Sequence, residues 1–219
     1  MTLTGQTAST LSPQVRGELP GPRSAELLAR QHLREPNAQA SAGHLPIAVD
    51  RGTGSFLHDL DGNVFIDFLS GAGVLALGHS HPELVEVATA QLGRFCHGLD
   101  LPSAAKDAFV EAQLSMLPGR MAERTKLHFC GPTGASAVDA AITLCKAATG
   151  RGDVVSFQGG FHGTALAGTA LSGLVADKAP IRNGLPGVHF FPFSNCSDCP
   201  LGLARDGCDT NCATFIERS

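Results

Sequence analysis

Residues 129–168, FCGPTGASAVDAAITLCKAATGRGDVVSFQGGFHGTALAG, decide the fold. Thr133-Gly134-Ala135-Ser136 opens a helix whose apolar positions Val138, Ile142 and Cys145 recur at i, i+4 and i+7, and Gly150 supplies the left-handed residue that ends it. A strand over 154–157 follows, then the loop Gly159-Gly160-Phe161-His162-Gly163. Strand, turn, helix, strand and loop in this order predict part of a parallel α/β sheet, with short strands also at 126–130 and 188–191. The turn at Gly134 and the loop at Phe161 then lie on one carboxyl edge, where open α/β sheets bind ligands. The first turn of a helix carries unpaired N–H groups and partial positive charge, which favour an anion. Gly134 lets the backbone approach that anion, and the hydroxyls of Thr133 and Ser136 add donors. Phe161 presents a flat ring and His162 a polar one. The arrangement suits a phosphorylated planar ligand. A purely structural reading also stands, with Thr133 as an N-cap, Gly134 as a turn residue and Phe161 as core.

Upstream, residues 1–22 are rich in Ser, Thr, Gly and Pro and read as a disordered leader. A short helical arm is expected over 23–34, with Ser24 as its N-cap. Residues 54–68 (GSFLHDLDGNVFIDF) read as a hairpin turning at Asp61-Gly62-Asn63. Pro82 suits the first turn of a helix to about residue 95, with Leu84, Val87, Ala88 and Leu92 on its buried face. A further helix is expected over 103–117.

The 219 residues are 43% hydrophobic and 16% charged with a net charge of -4. This fits a globular chain and gives no basic footprint for nucleic acid or an anionic membrane. No apolar run reaches the roughly 18 residues of a membrane span, and residues 1–22 lack a signal-peptide core. The expected setting is cytoplasmic. The seven cysteines are an odd number, which argues against a disulfide framework. Cys96, Cys130 and Cys145 read as buried small apolar residues. Cys196-x2-Cys199-x8-Cys208-x3-Cys212 has the spacing of a structural zinc site, the other reading being a surface loop of reduced thiols. His79 and His81 read as structural residues of the turn before Pro82.

Five segments in order, GPRSAELLARQ (21–31), DLDGNVFIDFLSGAGVLALGHSHP (59–82), CGPTGASAVDAA (130–141), TGR (149–151) and GGFHG (159–163), resemble the class III pyridoxal-phosphate-dependent aminotransferases of fold type I. The likeness is strongest to the diaminobutyrate–2-oxoglutarate branch and covers residues 21–219. It implies an α/β fold: an arm and small-domain segment over 23–100, then the first part of the large, mainly parallel domain over 101–219, carrying the Cys-rich insert 196–212. It implies that the amides of Gly134 and Ala135 bind the cofactor phosphate, that Phe161 stacks on the pyridine ring with His162 beside it, and that Ser70 and Gly71 lie near the substrate end. Ser136 departs from the Glu or Asn common in the family. The implied reaction passes an amino group from a terminal amine, 2,4-diaminobutyrate, to a 2-oxo acid in a homodimer. The family's Schiff-base Lys and its Asp partner to the pyridinium lie downstream of the region matched, and none of Lys106, Lys126, Lys146 and Lys178 stands in a matching context. The chain is therefore expected to be a truncated part, inactive alone. The competing expectation is a non-catalytic, zinc-stabilised or interaction fragment.

Overall fold

A computed structural model describes residues 11–36, 44–179, 181 and 184–219. The chain forms two compact units, residues 1–104 and 105–219.

In the first unit, helix α1 (Pro22–Arg34) precedes a three-stranded antiparallel meander of β1 (Val49–Thr53), β2 (Phe56–Asp59) and β3 (Val64–Ile66). The expected hairpin is β2–β3. Asp59 closes it: its Oδ1 accepts from the N–H groups of Asp61 and Asn63, and its Oδ2 from the Asn63 amide at 2.6 Å. Asn63 is fully buried. Strand β1 escapes the sequence pattern because VDRGT has no apolar alternation, and most of it is exposed. Residues 1–10 of the expected leader lie outside the described residues; further on, Gln14 pairs with Val64, and the Arg16 N–H donates to Asn63 Oδ1 at 2.7 Å. Gln14 and Arg16 are thus bonded to the hairpin where disorder is expected.

Helix α1 is not capped by Ser24. Its N-cap is Gly21, which has no side chain, and Asp61 does the work from the hairpin turn. The Asp61 carboxylate accepts from the N–H groups of Arg23 and Ser24, both at 2.8 Å. Ser24 is buried, and its Oγ accepts from Ala48 N–H. Gly21 is required here, since a Cβ at that position would stand 2.4 Å from Asp61 Cγ.

Helix α2 (Pro82–Arg94) starts at Pro82 as expected, but none of its residues is buried. Leu84, Val87 and Leu92 are exposed, because periodicity marks an apolar face without supplying the surface that covers it.

The second unit holds all but the first residue of helix α3 (Ala104–Ser115), and helices α4 (Gly134–Thr149), α5 (Leu166–Leu171) and α6 (Asn211–Arg218). Strands β4 (Val154–Phe157) and β5 (Val188–Phe191) pair in parallel, from Val154 opposite Val188 to Phe157 opposite Phe191. Residues 126–130 form no strand, since among the described residues no neighbouring strand offers them a ladder. Cys96, Cys130 and Cys145 are exposed rather than buried. Among the described residues the buried apolar side chains are Ala48 and Leu171, while Ser24, His58, Asp59, Asn63, Ser156 and Ser172 are buried polar ones. Hydrogen bonds therefore organise much of the interior. Among the described residues no helix is long and apolar enough to cross a membrane.

The cap on α1 makes its attachment acid-sensitive. Partial burial raises the Asp61 pKa, but bonds from the Ser24 hydroxyl, from the Arg23 and Ser24 amides, and the Arg23 charge outweigh it and hold the carboxyl below its ordinary 3.8. A depressed pKa contributes stability above the ordinary value, lost as pH falls through the depressed one. Protection of the Arg23 and Ser24 amides, taken as exchange relative to the unfolded-chain rate at the same pH, is expected to hold above pH 3.8 and to fall below it; Asp61→Asn should lack that protection at every pH.

Candidate cofactor site

The carboxyl edge of the second unit collects two loops. Helix α4 begins where Thr133, in extended conformation, caps it: Thr133 Oγ1 accepts from Ser136 N–H at 3.1 Å and lies 2.9 Å from Ser136 Oγ. The cap leaves the N–H groups of Gly134 and Ala135 without an acceptor among the described residues. Two adjacent free amides at the positive end of a 16-residue helix suit an anion. The space beside Gly134 is also open, since a Cβ there would meet no atom within 4 Å. Neither backbone strain nor packing demands glycine at this position, and the missing side chain leaves the backbone open to a ligand. Gly150, with φ of 69°, ends the helix as the pattern predicts.

The ring loop leaves the carboxyl end of β4 and returns to touch that helix turn. Gly163 has φ of +102°, and a Cβ on it would lie 2.6 Å from Ala135 Cβ. The two candidate loops are thus brought into contact at this glycine. Three bonds anchor the loop. Gly173 N–H donates to Gly160 O at 2.7 Å, His162 N–H donates to Ser172 Oγ at 3.0 Å, and Ser172 Oγ donates to Gly168 O at 2.7 Å. Ser172 is buried and acts as the peg of the loop, a role with no local sequence signature because its partners lie four and ten residues away. His162 is half-buried, and the Phe161 ring is 62% exposed, so it has a free face for stacking.

Ser70 and Gly71 lie in the first unit. Ser70, Gly71, Ala72 and Gly73 all have positive φ, forming a left-handed turn. Such a turn is unfavourable for Ser and Ala. Asp67 holds it: its Oδ1 accepts from the N–H groups of Leu69 and Ser70, both at 2.9 Å, and its Oδ2 meets His79 Nε2 at 2.7 Å. The His79 bond, followed by those from Ser70 and Leu69, outweighs partial burial and lowers the Asp67 pKa. The His79 backbone pairs with Gly54, so this histidine is structural, as expected. A cavity of about 480 Å³ opens here, lined by Ser55, Asp67, Ser70, His79 and His81 among others.

The zinc expectation for Cys196, Cys199, Cys208 and Cys212 gains no support. All four are free and border one cavity of about 490 Å³, but among the described residues no three His, Cys, Asp or Glu side chains converge as a metal site requires. Spacing sets which thiols can approach, and the loop backbone between Pro200 and Thr210 sets whether they do.

A family profile described as "Aminotransferase class-III" matches residues 38–211. A diaminobutyrate–2-oxoglutarate aminotransferase of Rhizobium meliloti is 40% identical over 198 residues, covering 90% of this chain and 42% of the relative. A thermostable (S)-enantioselective omega-transaminase from Thermomicrobium roseum superposes with a TM-score of 0.74 at 21% identity, covering 89% of this chain and 45% of that one. A structure titled "Transaminase with PLP bound" is 25% identical with a TM-score of 0.63, covering 80% and 42%. The chain spans about two fifths of the length of the curated relatives it matches. The fold is that of the fold type I transaminases, in part.

Gly163→Ala, which forces a methyl into Ala135 at a left-handed φ, is expected to cost about 1–3 kcal/mol in denaturant unfolding. Ser172→Ala should cost about 1–2 kcal/mol by stranding the His162 N–H, and should speed that amide's exchange. Exchange unchanged in Ser172→Ala would rule out the peg.

Proposed function

Since the chain belongs to the class-III aminotransferases, a family that uses pyridoxal phosphate, we propose that residues 101–219 hold the phosphate and one face of the ring of that cofactor. Two free amides beside an open glycine carry the reading. The Gly134 and Ala135 N–H groups bind the phosphate, Phe161 stacks on the pyridine ring, and His162 stands at its edge. Ser70 and Gly71, in the arm and small-domain segment 23–100, belong to the substrate end. When bound, the cofactor supplies an electron sink through which an amine and a carbonyl exchange places. The protein's part in this region is to bind, orient and cover.

The amino donor in this reading is 2,4-diaminobutyrate and the acceptor 2-oxoglutarate, which the names of the relatives favour. The reaction takes place in a cytoplasmic homodimer, to which the exposed apolar face of α2 lends contact surface. None of the four lysines serves as the Schiff-base residue. Lys178 Nζ lies 3.7 Å from the Phe190 ring centroid and donates to Ser172 O at 2.8 Å, and Lys106 Nζ lies 4.8 Å from the Phe129 centroid. Lys126 and Lys146 stand at residues 126 and 146, away from the ring loop in sequence. In this reading residues 101–219 hold the cofactor, and none of these four lysines carries it.

Gly134→Ala separates ligand from fold. It should leave unfolding free energy within about 0.5 kcal/mol of the parent and weaken pyridoxal phosphate binding roughly tenfold in equilibrium dialysis, about 1.4 kcal/mol. Phe161→Ala should weaken pyridoxal phosphate and pyridoxal alike. Borohydride treatment followed by peptide mass analysis should find no pyridoxyl group on Lys106, Lys126, Lys146 or Lys178. Unchanged affinity in Gly134→Ala would overturn the phosphate assignment.

A further inference from the structure

Beside the ring loop, at the carboxyl ends of β4 and β5, lies a cavity of about 600 Å³ lined by Phe157, Gly159, Gly160, Phe193, Asn195 and Asp198 among others. Gly159 and Gly160 lead directly into Phe161, and Phe193, Asn195 and Asp198 belong to the segment that follows β5. The cavity is therefore built from the ring loop on one side and the start of the Cys-rich insert on the other.

Its chemistry is one-sided. Asp198 is the single ionisable residue among those lining it, so the cavity carries negative charge and disfavours a phosphate or a carboxylate. Phe157 and Phe193 meet edge to face, with centroids 5.9 Å apart and planes at 88°. Two aromatic rings presented with a carboxylate form the surroundings that attract an alkylammonium group, the ring quadrupoles and the carboxylate acting in the same sense. Asn195 adds an amide oxygen, which accepts from Ser197 Oγ at 2.8 Å and keeps a second lone pair. The same unit already places ammonium groups over phenylalanine rings, Lys178 on Phe190 and Lys106 on Phe129.

We infer that this cavity binds a primary alkylammonium group through Asp198 and the Phe157–Phe193 pair. Resting on the functional reading above, it takes the amino group of a diamino donor that is not exchanged, and so favours diamines over monoamines. The insert that carries Asp198 then serves specificity and not metal binding.

The test uses the 219-residue chain, 1,3-diaminopropane as probe and 1-propanol as its uncharged control, followed by amide chemical shifts. The diamine should move the amides of Gly159, Gly160, Asn195 and Asp198, and 1-propanol should not. Asp198→Asn should weaken diamine binding at least tenfold, and Asp198→Glu should recover part of it. Asp206→Asn removes the same charge from the single turn Arg205–Gly207, outside this cavity, and should leave binding unchanged. Equal weakening by Asp198→Asn and Asp206→Asn, or shifts elsewhere only, would overturn the site. Diamine binding that persists while pyridoxal phosphate fails to bind would support the ammonium site and overturn the functional reading. The reverse pattern would overturn the ammonium site and leave that reading intact.

Discussion

The second unit depends on a contact that no side chain could share. Gly163 rests against Ala135 with no room for a Cβ between them, at a φ that glycine alone adopts without strain. This contact ties the loop after β4 to the first turn of α4. Helix α4 precedes β4 and the loop follows it, so the parallel sheet places both at the carboxyl edge, and Gly163 brings them together. The free amides of Gly134 and Ala135 and the exposed ring of Phe161 then belong to one surface. The open space at Gly134 and the crowded space at Gly163 are complementary: one glycine leaves room for a ligand, the other leaves room for the protein.

Polar pegs, and not a large apolar core, hold the elements in place. Ser172 anchors the ring loop through its hydroxyl, and Ser156 Oγ donates to Leu171 O at 2.6 Å beneath it. In the first unit three carboxylates do similar work. Asp59 closes the hairpin, Asp61 caps α1, and Asp67 holds the left-handed turn at Ser70–Gly73 together with His79. Each accepts backbone N–H groups that have no partner in a helix or strand, and the Asn63 N–H held by Asp59 is buried, where an unpaired group is costly. The turn at Ser70 keeps an unfavourable backbone because Asp67 bonds two of its neighbouring amides at once.

What could be read from the sequence was local. The cap at Thr133, the stop at Gly150, the turn at Gly62 and the helix start at Pro82 each depend on residues within a few positions of one another, and each is found. The resemblance to class-III aminotransferases rests on segments of the same kind, and the family profile over residues 38–211 agrees with it. Features set by distant partners were not legible. Ser24 looked like a cap, but the acceptor for α1 comes from Asp61, 37 residues further on. Residues 126–130 have strand-like composition and no strand beside them. The α2 face and Cys96, Cys130 and Cys145 have the residue types of a core, yet burial belongs to the surface that covers a residue and not to the residue. The four thiols at 196–212 have zinc-like spacing and border one cavity, but among the described residues no three of them converge as a metal site requires. Ser172 was invisible because a lone serine carries no pattern.

The most direct measurement is an amide chemical-shift titration of the chain with pyridoxal phosphate and, separately, with pyridoxal. Pyridoxal phosphate should shift the amides of Gly134 and Ala135 strongly, as expected of N–H groups gaining a charged acceptor. Pyridoxal should perturb the Phe161 and His162 amides and leave Gly134 and Ala135 almost unmoved. If both ligands leave Gly134 and Ala135 unmoved, or move them equally, these amides are not the phosphate site and the account is wrong.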